Sequence, residues 1–286
     1  MGEFELIRKF FQRPVHRSPL GIGDDCALLA PAPGMQLAVS SDMLVEGRHF
    51  FADVNPQLLG HKALAVNLSD LAASGAKPLA FTLALSMPRA DANSCQAFAD
   101  GLFALADQHQ CELVGGDTTQ GPLNICITVF GEVPAGQALL RSGAQVNDDI
   151  WVSGSLGDAR IALDALLRQH ALPPAVLAQA RQRLEQPTPR VALGLALRGI
   201  ASAAIDISDG LLADLGHICA ASDLSAELFI EELPLSPALQ NATSQDQARQ
   251  WALAGGDDYE LCFTVPESRM PELGALIGTG ALQATV

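Results

Sequence analysis

The chain has 286 residues, a formal net charge of −15 at pH 7 and a sequence pI near 4.6. This acidity excludes the basic footprint of a nucleic-acid-binding protein and the polybasic patch that anionic membrane surfaces attract. With 49% hydrophobic residues and a mean hydropathy of +0.22, the length predicts about two domains with sizeable cores.

The basic residues narrow the choice of phosphate-binding chemistry. The only lysines are Lys9, Lys62 and Lys77. No Gly-x-x-x-x-Gly-Lys-Ser/Thr stretch occurs, which excludes a P-loop. Any phosphate that binds must be neutralised mainly by metal ions, with help from arginines and backbone N–H groups.

Cysteine usage and the N-terminal residues indicate the compartment. No Cys-x-x-Cys pair occurs and several cysteines lie in apolar runs, so we expect all six to be reduced and buried: Cys26, Cys95, Cys111, Cys126, Cys219 and Cys262. The first residues are acidic and lack a signal-peptide pattern, and no apolar run approaches the ~18 residues of a membrane span. We expect a soluble, cytoplasmic protein.

The first half of the chain alternates between helical and strand patterns. In chain order the patterns predict a helix at Glu3–Phe11, a strand at Met35–Ser41, helix Pro56–Ser74, strand Phe81–Met87, helix Ser94–Gln110, and strands Glu112–Val114 and Leu123–Val133. The polar, turn-rich stretch Gly143–Asp149 predicts a domain boundary. We expect one domain at residues 1–147 and a second at residues 148–286.

The second half restarts the same pattern. It predicts strand Ile150–Ser153, a helix opened by Gly154-Ser155-Leu156-Gly157-Asp158, helices Pro174–Leu184 and Val191–Gly199, strand Ala203–Ile207, helix Leu211–Ala221, strand Glu227–Ile230, helix Gln245–Ala254 and strand Tyr259–Val265. Mixed strands and helices in both halves predict an α/β or α+β domain twice.

Aspartates recur beside glycine or serine, mostly after strand-like runs. The motifs are Gly21-Ile22-Gly23-Asp24-Asp25, Ser40-Ser41-Asp42, Asn67-Leu68-Ser69-Asp70, Gly115-Gly116-Asp117-Thr118-Thr119, Asp206-Ile207-Ser208-Asp209-Gly210 and Gly255-Gly256-Asp257-Asp258-Tyr259-Glu260. Mg²⁺ takes oxygen ligands and commonly bridges carboxylates to substrate phosphates. Converging carboxylates repel one another unless cations lie among them. Six such motifs favour a multi-Mg²⁺ phosphoryl-transfer site.

Each motif alone also has a structural interpretation. Asp24 and Asp25 fit an Asx turn, and Asp42 fits a helix cap. Asp70 lies in an apolar helix and needs a partner, because an isolated buried carboxylate is costly. Arg141 fits a phosphate clamp or a solvated surface residue, and His49 fits a substrate contact or a loop cap. Tyr259, the only tyrosine, fits core packing at least as well as a site.

Taken together, these motifs resemble the thiamine-monophosphate kinase family, within the superfamily of aminoimidazole-ribonucleotide synthetase-like ATP-binding enzymes. The resemblance runs from Gly2 to about Val265. It implies a phosphotransferase with a phosphate group as acceptor, which uses ATP and several Mg²⁺ ions to convert thiamine monophosphate to thiamine diphosphate. It also implies a two-domain α/β fold, an N-terminal domain that binds ATP and Mg²⁺ and pairs its sheet across a homodimer, and active sites between the domains.

The resemblance also implies residue roles. It assigns the Mg²⁺ ions to Asp25, Ser40, Ser41, Asp42, Asp70, Asp117, Asp206 and Asp209. It assigns ATP to Gly116, Asp117, Arg141 and Ser208, and thiamine monophosphate to His49 and Asp257. No covalent nucleophile is expected, since no serine is paired with a histidine and the cysteines read as buried.

Two departures and two rival functions accompany the resemblance. The family usually has Glu where this chain has Asp257, and its members continue beyond the position of Val286 with a strand and an aromatic residue over the substrate ring. The first rival is another ATP-using enzyme of the superfamily, with aminoimidazole-ribonucleotide, selenophosphate or hydrogenase-maturation chemistry. The second is an acidic Ca²⁺-stabilised binding protein, but the sequence has no EF-hand spacing that would support it.

Overall fold

The computed structural model describes residues 2–278 and 284–285, so the segment that the resemblance places beyond Val286 lies outside the described residues. The chain forms two compact units. The N-terminal unit comprises Met1–Leu71 and Lys77–Ala135, and the C-terminal unit comprises Ala72–Ala76 and Gly136–Val286. The main segment of the second unit thus begins earlier in the chain, at Gly136, than the boundary predicted between residues 147 and 148.

The N-terminal unit is a four-stranded sheet with two long helices. Its elements are α1 (Glu3–Leu6, continued by π-helical Ile7–Phe11), β1 (Met35–Val45), α2 (Pro56–Ala73), β2 (Lys77–Met87), α3 (Ala92–His109), β3 (Glu112–Gln120) and β4 (Asn124–Pro134). The strand order is β1-β4-β2-β3. Only the β2–β3 pair is parallel; β4 runs antiparallel to β1 and β2.

Burial explains why α2 lacks the polar stripe of a surface helix. Every residue from Lys62 to Ser69 is buried, as are Ile125, Ile127 and Val129 on alternate positions of β4. In this stretch only Lys62, Asn67 and Ser69 are polar, and a helix with apolar residues around so much of its surface is stable inside a core. The core of this unit therefore contains α2 and one face of β4.

Two glycines set the contact between α2 and α3. A Cβ on Gly60 would lie 2.0 Å from the carbonyl oxygen of Phe98, and a Cβ on Gly101 would lie 1.8 Å from that of Gln57. Real Cβ atoms do not approach a backbone oxygen this closely, so these positions accept only glycine while the helices keep their separation.

The C-terminal unit contains a second four-stranded sheet. Its elements are β5 (Asp149–Ser153), α4 (Asp158–Leu166), α5 (Pro174–Glu185), α6 (Val191–Leu197), β6 (Ala203–Ile207), α7 (Leu211–Ser222), α8 (Pro237–Ala242), α9 (Gln245–Ala254), β7 (Glu260–Val265), α10 (Met270–Gly278) and β8 (Ala284–Thr285). The order is β6-β7-β5-β8, with antiparallel neighbours. All five residues of β6 are buried, and Ile205 and Ile207 pack with Leu211 and Leu215 of α7.

The mixed strands and helices of both units confirm the predicted α/β class, but some element boundaries were wrong. The predicted strand Glu227–Ile230 is irregular chain that enters a 3-10 turn at Ile230–Glu232, and Phe229 is 67% exposed. The charged pair Glu231-Glu232 and the following Pro234 oppose a buried strand here. The prediction also missed α8 and α10.

Two strands continue through motifs that we expected at strand ends. β1 runs on past Ser41 because Asp42 to Val45 pair with Ile127 to Asn124 of β4. β3 runs through the Gly-Gly-Asp-Thr-Thr motif to Gln120. Long-range pairing, which the local pattern does not contain, decides both.

Other expectations met mixed outcomes. All six cysteines are free, but Cys26 is exposed and Cys126 and Cys219 are only partly buried, so the expectation that all are buried was wrong for these three. Among the described residues, no helix is both long and apolar enough to cross a membrane.

We expect Gly101→Ala to lower the free energy of unfolding by about 1–3 kcal/mol, the usual cost of overpacking. In an unobstructed helix the same change raises stability by up to about 1 kcal/mol. Gly216→Ala is the matched control, because Gly216 lies exposed in α7 with nothing within 4 Å of its added Cβ. Denaturant unfolding of both variants checks the prediction, and a Gly101→Ala protein as stable as Gly216→Ala would contradict it.

Candidate active site

A carboxylate pair lies where β1 faces α2. Ser40 and Asp42 are two residues apart in β1 and share one face, while Asn67 and Asp70 lie one turn apart on α2. The Ser40 hydroxyl donates to Asp70 Oδ2 at 2.5 Å, and the Asp42 backbone N–H donates to Asn67 Oδ1 at 3.0 Å. These contacts fix the Asp70 carboxylate and the backbone of Asp42, and they place Asn67 and Asp70 against the same stretch of β1.

Electrostatics at this pair favour a cation. Burial, and after it the charge of Asp70, raises the pKa of Asp42 from 3.8 to about 6. Two carboxylates and a hydroxyl are the oxygen ligands that Mg²⁺ prefers, and a cation would relieve the repulsion that raises this pKa. The donor set at Ser40, Asp42 and Asp70 therefore fits Mg²⁺.

A second group lines a cavity of about 800 Å³ in the same unit. Its walls come from α1, the Gly-Ile-Gly-Asp-Asp loop, β2 and β3, and they bring Asp24 and Asp25 together with Gly116 and Asp117. Gly116 has φ +143°, and a Cβ there would lie 1.9 Å from the Leu83 carbonyl oxygen. Glycine is therefore required at position 116 for β3 to stay paired with β2 at the residue before Asp117.

The two groups lie apart on the sheet. Asp42 pairs with Ile127, Ile127 with Leu83, and Leu83 with Gly116. Three strand spacings separate β1 from β3, which is about 14 Å. In the described part of the chain, no cluster of three or more Asp, Glu, His or Cys side chains is placed to hold one ion. Asp42 and Asp117 therefore cannot share an ion in this conformation.

Ser41 alternates with its neighbours and points to the other face of β1. Its hydroxyl lies 3.1 Å from the Ile127 carbonyl oxygen, to which it can donate, and 3.0 Å from Thr128 Oγ1. The structure therefore separates the Ser41 side chain from Ser40 and Asp42, with which the resemblance groups it.

In the C-terminal unit, the junction between β6 and α7 carries three of the predicted residues. Asp206 is buried at the end of β6, Ser208 is partly buried and Asp209 is exposed. Asp214, which the sequence reasoning missed, accepts the backbone N–H groups of Ser208, Asp209 and Gly210 at 3.0, 3.0 and 3.1 Å. The sequence does carry a signal for this role, because Asp214 is a carboxylate in the first turn of a helix that follows Ser-Asp-Gly.

The Gly-Gly-Asp-Asp-Tyr-Glu motif divides its polar groups between site and core. Asp257 is partly buried and accepts a hydrogen bond from the Tyr259 hydroxyl at 3.2 Å. Tyr259 is 9% exposed, so it both packs in the core and contacts Asp257. The Asp257 N–H donates to the Ser208 carbonyl at 2.9 Å, and Tyr259 N–H donates to the Ile207 carbonyl at 2.8 Å.

The other two acids of this motif are structural. Asp258 accepts the Gly157 N–H on both carboxylate oxygens, at 3.1 and 3.0 Å. Burial nevertheless holds the pKa of Asp258 well above its ordinary value. Glu260 is fully buried and binds Arg183, Arg190 and the Ser153 hydroxyl. Sequence reasoning did not separate these roles. The two arginines lie far away in the chain, one in α5 and one just before α6, and no local pattern shows which carboxylate they bind.

His49 and Arg141 are both exposed. His49 Nδ1 accepts the Val45 N–H at 3.0 Å, so the proton of the neutral ring lies on Nε2. One ring nitrogen of His49 therefore holds the turn after β1, and the N–H of Nε2 on this exposed side chain is left as a donor. Within the described part of the chain the Arg141 guanidinium has no hydrogen-bond or ion-pair partner, while the Arg141 backbone oxygen accepts from the Ser222 hydroxyl at 3.2 Å.

Comparison with known proteins places this geometry in context. A model of the AIR synthase related protein, N-terminal domain, matches residues 23–133. The chain is 50% identical over 284 residues to thiamine-monophosphate kinase of Salmonella typhimurium, across 97% of this chain and 86% of that protein. It is 45% identical over 276 residues to that of Haemophilus influenzae, across 96% and 84%.

Solved structures agree with these relatives. The crystal structure of thiamine-monophosphate kinase from Stenotrophomonas maltophilia matches with a TM-score of 0.89 and 50% identity, across 99% of this chain and 90% of that chain. AaThiL complexed with AMPPCP and TMP matches at 0.79 and 30%, across 99% and 87%. The hydrogenase maturation protein HypE of E. coli matches at 0.78 with 22% identity, which shows the fold alone.

In metal-free protein we expect Asp42→Asn to be more stable than wild type at neutral pH. The folded pKa of about 6 exceeds the ordinary 3.8, so the folded state holds this proton more tightly than the unfolded chain. Wild type therefore loses stability relative to the variant as the pH rises from about 4 to about 6, and the difference is constant above that range.

Denaturant unfolding in excess chelator across this pH range measures the difference. Asp223→Asn, which removes an exposed carboxylate at the end of α7, serves as the control and should show no such step. A difference between Asp42→Asn and wild type that does not change with pH would contradict the prediction.

Proposed function

The chain belongs to the thiamine-monophosphate kinase family, and from that premise we propose that it transfers the γ-phosphoryl group of ATP directly to thiamine monophosphate. The products are thiamine diphosphate and ADP. One observation carries the assignment of activity: 50% identity to a thiamine-monophosphate kinase across 97% of this chain. AaThiL, which matches 99% of this chain, is solved with AMPPCP and TMP.

The rival functions have less support. HypE shares 22% identity with this chain, so hydrogenase-maturation chemistry rests on the fold alone. No observation favours aminoimidazole-ribonucleotide or selenophosphate chemistry, or a Ca²⁺-stabilised binding protein.

We propose that Mg²⁺ ions are held by the residues that the family resemblance assigns to them: Asp25, Ser40, Ser41, Asp42, Asp70, Asp117, Asp206 and Asp209. Support comes from the oxygen donors at Ser40, Asp42 and Asp70 and from the raised pKa of Asp42. Bound Mg²⁺ would neutralise the phosphate charge of two anions that otherwise repel each other. The Ser41 side chain faces away from Ser40, so its hydroxyl would not join Ser40, Asp42 and Asp70 around one ion.

The nucleotide and the acceptor are proposed to bind separate residues. Gly116, Asp117, Arg141 and Ser208 would hold ATP. Support is the cavity of about 800 Å³ that Gly116 and Asp117 line, together with the exposure of Arg141, which leaves its guanidinium accessible to phosphate. His49 would donate from Nε2 to the phosphate of thiamine monophosphate, and Asp257 would face the same substrate.

The chemical step needs no covalent intermediate. A phosphate oxygen of thiamine monophosphate attacks the γ-phosphorus of ATP in line, a P–O bond forms to the acceptor, and the bond to the β–γ bridging oxygen breaks as ADP leaves. Burial raises the pKa of the Cys111 thiol and raises that of Cys262 to about 12, so neither is a thiolate at neutral pH. The contribution of the protein is positioning and charge stabilisation.

We also propose that the N-terminal sheets of two chains pair into a homodimer. β1 is an edge strand of eleven residues. Its Leu37, Val39 and Met43 are 44%, 58% and 52% exposed. A long apolar edge strand tends to be covered by another strand. Use of ATP and the free cysteines support a cytoplasmic location.

The assay that tests the function measures ADP formation with thiamine monophosphate and, separately, with thiamine. We expect turnover only with thiamine monophosphate, because the acceptor is a phosphate oxygen. Direct transfer needs both substrates bound together, so initial rates at varied ATP and several fixed acceptor concentrations should give intersecting lines. Parallel lines, or protein labelled from γ-labelled ATP, would indicate a covalent relay and defeat the mechanism.

Removing the charge of Asp117, in the N-terminal cavity, or of Asp209, after β6, should abolish most of the activity. We expect Asp117→Asn and Asp209→Asn to lower kcat/KM by roughly 100- to 1,000-fold, the loss typical when one preorganised electrostatic group of an active site is removed. Both side chains are exposed, so the melting temperature should stay near that of wild type. Asp223→Asn controls for net charge, and wild-type activity in both variants would refute the assignment of these residues.

A further inference from the structure

The loop between β6 and α7 has its backbone donors turned inward. Gly210 is the N-cap of α7 and carries no side chain that could cap the helix. Asp214, 3% exposed, supplies the missing acceptor, and its Oδ2 takes the N–H groups of Ser208, Asp209 and Gly210. Three consecutive N–H groups that converge on one carboxylate oxygen form an anion nest.

This arrangement reverses the usual chemistry of such a junction. A loop that enters a helix N-terminus ordinarily offers its N–H groups to a phosphate or other anion. Here an internal carboxylate already occupies that position. What the loop has left to offer outward are side chains, among which Asp209 is the exposed carboxylate.

The carbonyl side of the loop is also fixed. The Ser208 carbonyl accepts from the Asp257 N–H at 2.9 Å. A Cβ on Gly256 would lie 2.5 Å from the same oxygen. The loop is therefore held by Asp214 on one side and by the segment before β7 on the other, with little freedom to turn its amides outward.

We propose that Asp214 is a positioning residue that fills the anion nest of its own loop and thereby commits that loop to presenting Asp209 to a cation. This inference rests on the proposed function, because it concerns the Mg²⁺ contact of Asp209. It assigns Asp214 no contact with substrate or metal. Partners of this kind, one bond removed from the ligand, typically affect metal affinity by about 10- to 100-fold.

The first test uses metal-free wild-type protein. Hydrogen exchange followed by NMR should show the amides of Ser208, Asp209 and Gly210 protected, because all three are bonded to Asp214. In Asp214→Asn they should exchange faster, since a neutral amide oxygen accepts less strongly than a carboxylate. Exchange of the three wild-type amides at the rate of an open loop overturns the proposal without any variant.

The second test measures Mg²⁺ dependence. For Asp214→Asn we expect the half-saturating Mg²⁺ concentration, from both the Mg²⁺-induced shift in melting temperature and kinase activity, to rise about 10- to 100-fold, with partial recovery at high Mg²⁺. Lost fold integrity would instead lower activity at every Mg²⁺ concentration. Asp223→Asn, at the C-cap of the same helix and away from the loop, should match wild type.

A folded Asp214→Asn with unchanged Mg²⁺ dependence overturns the proposal. If that variant does not fold, Asp214→Glu takes its place, because it keeps the charge and displaces the carboxylate by one methylene. It should show the same shift in Mg²⁺ dependence, and wild-type dependence in it overturns the proposal. Absence of thiamine-monophosphate-dependent ADP formation in wild type and Asp223→Asn would instead refute the proposed function, while the exchange result would stand on its own.

Discussion

The cost of burying a carboxylate shapes this molecule more than any other interaction, because 32 acidic residues face only 17 Lys and Arg. An ionised carboxylate away from water needs hydrogen bonds or an opposite charge. In the C-terminal unit the chain supplies these itself. Glu260 lies among Arg183, Arg190 and Ser153, and Asp214 takes three backbone N–H groups. Acids satisfied in this way hold the structure and are not available to a ligand.

The N-terminal unit solves the same problem differently. Among the described residues, no arginine is paired with Asp42. Its N–H is bound by Asn67, and burial, and after it the charge of Asp70, raises the pKa of its side chain. The contrast with Glu260 gives a physical criterion for telling site acids from structural acids. A partly buried carboxylate that faces a second carboxylate favours a bound cation, whereas one bonded to guanidinium groups or to several backbone N–H groups already has its partners.

Local pattern found most helices and strands, since apolar periodicity records burial directly. It also identified the acidic motifs, because small residues beside Asp are visible in sequence. It failed where distant pairing decides. Asp42 reads as a strand end, yet β4 extends the strand to Val45. Glu227–Ile230 reads as a strand, yet Phe229 is exposed. The different roles of the acids within Asp257-Asp258-Tyr259-Glu260 depend on arginines from α5 and the start of α6, about 70 residues earlier in the chain. A local sequence pattern cannot predict such contacts.

The unusual Asp257 also has a local physical reason. Its φ is +66°, in the left-handed region, where Asp is better tolerated than longer side chains because it can hydrogen-bond locally. The Tyr259 hydroxyl supplies such a bond. A Glu here would reach further but lose that contact geometry and carry more backbone strain. The backbone bond from Asp257 to Ser208 then links this residue to the loop that Asp214 holds. A change of backbone at residue 257 would therefore disturb the bond to Ser208, next to Asp209, so the acceptor contact and the metal contact that we propose for this unit depend on one hydrogen-bonded segment.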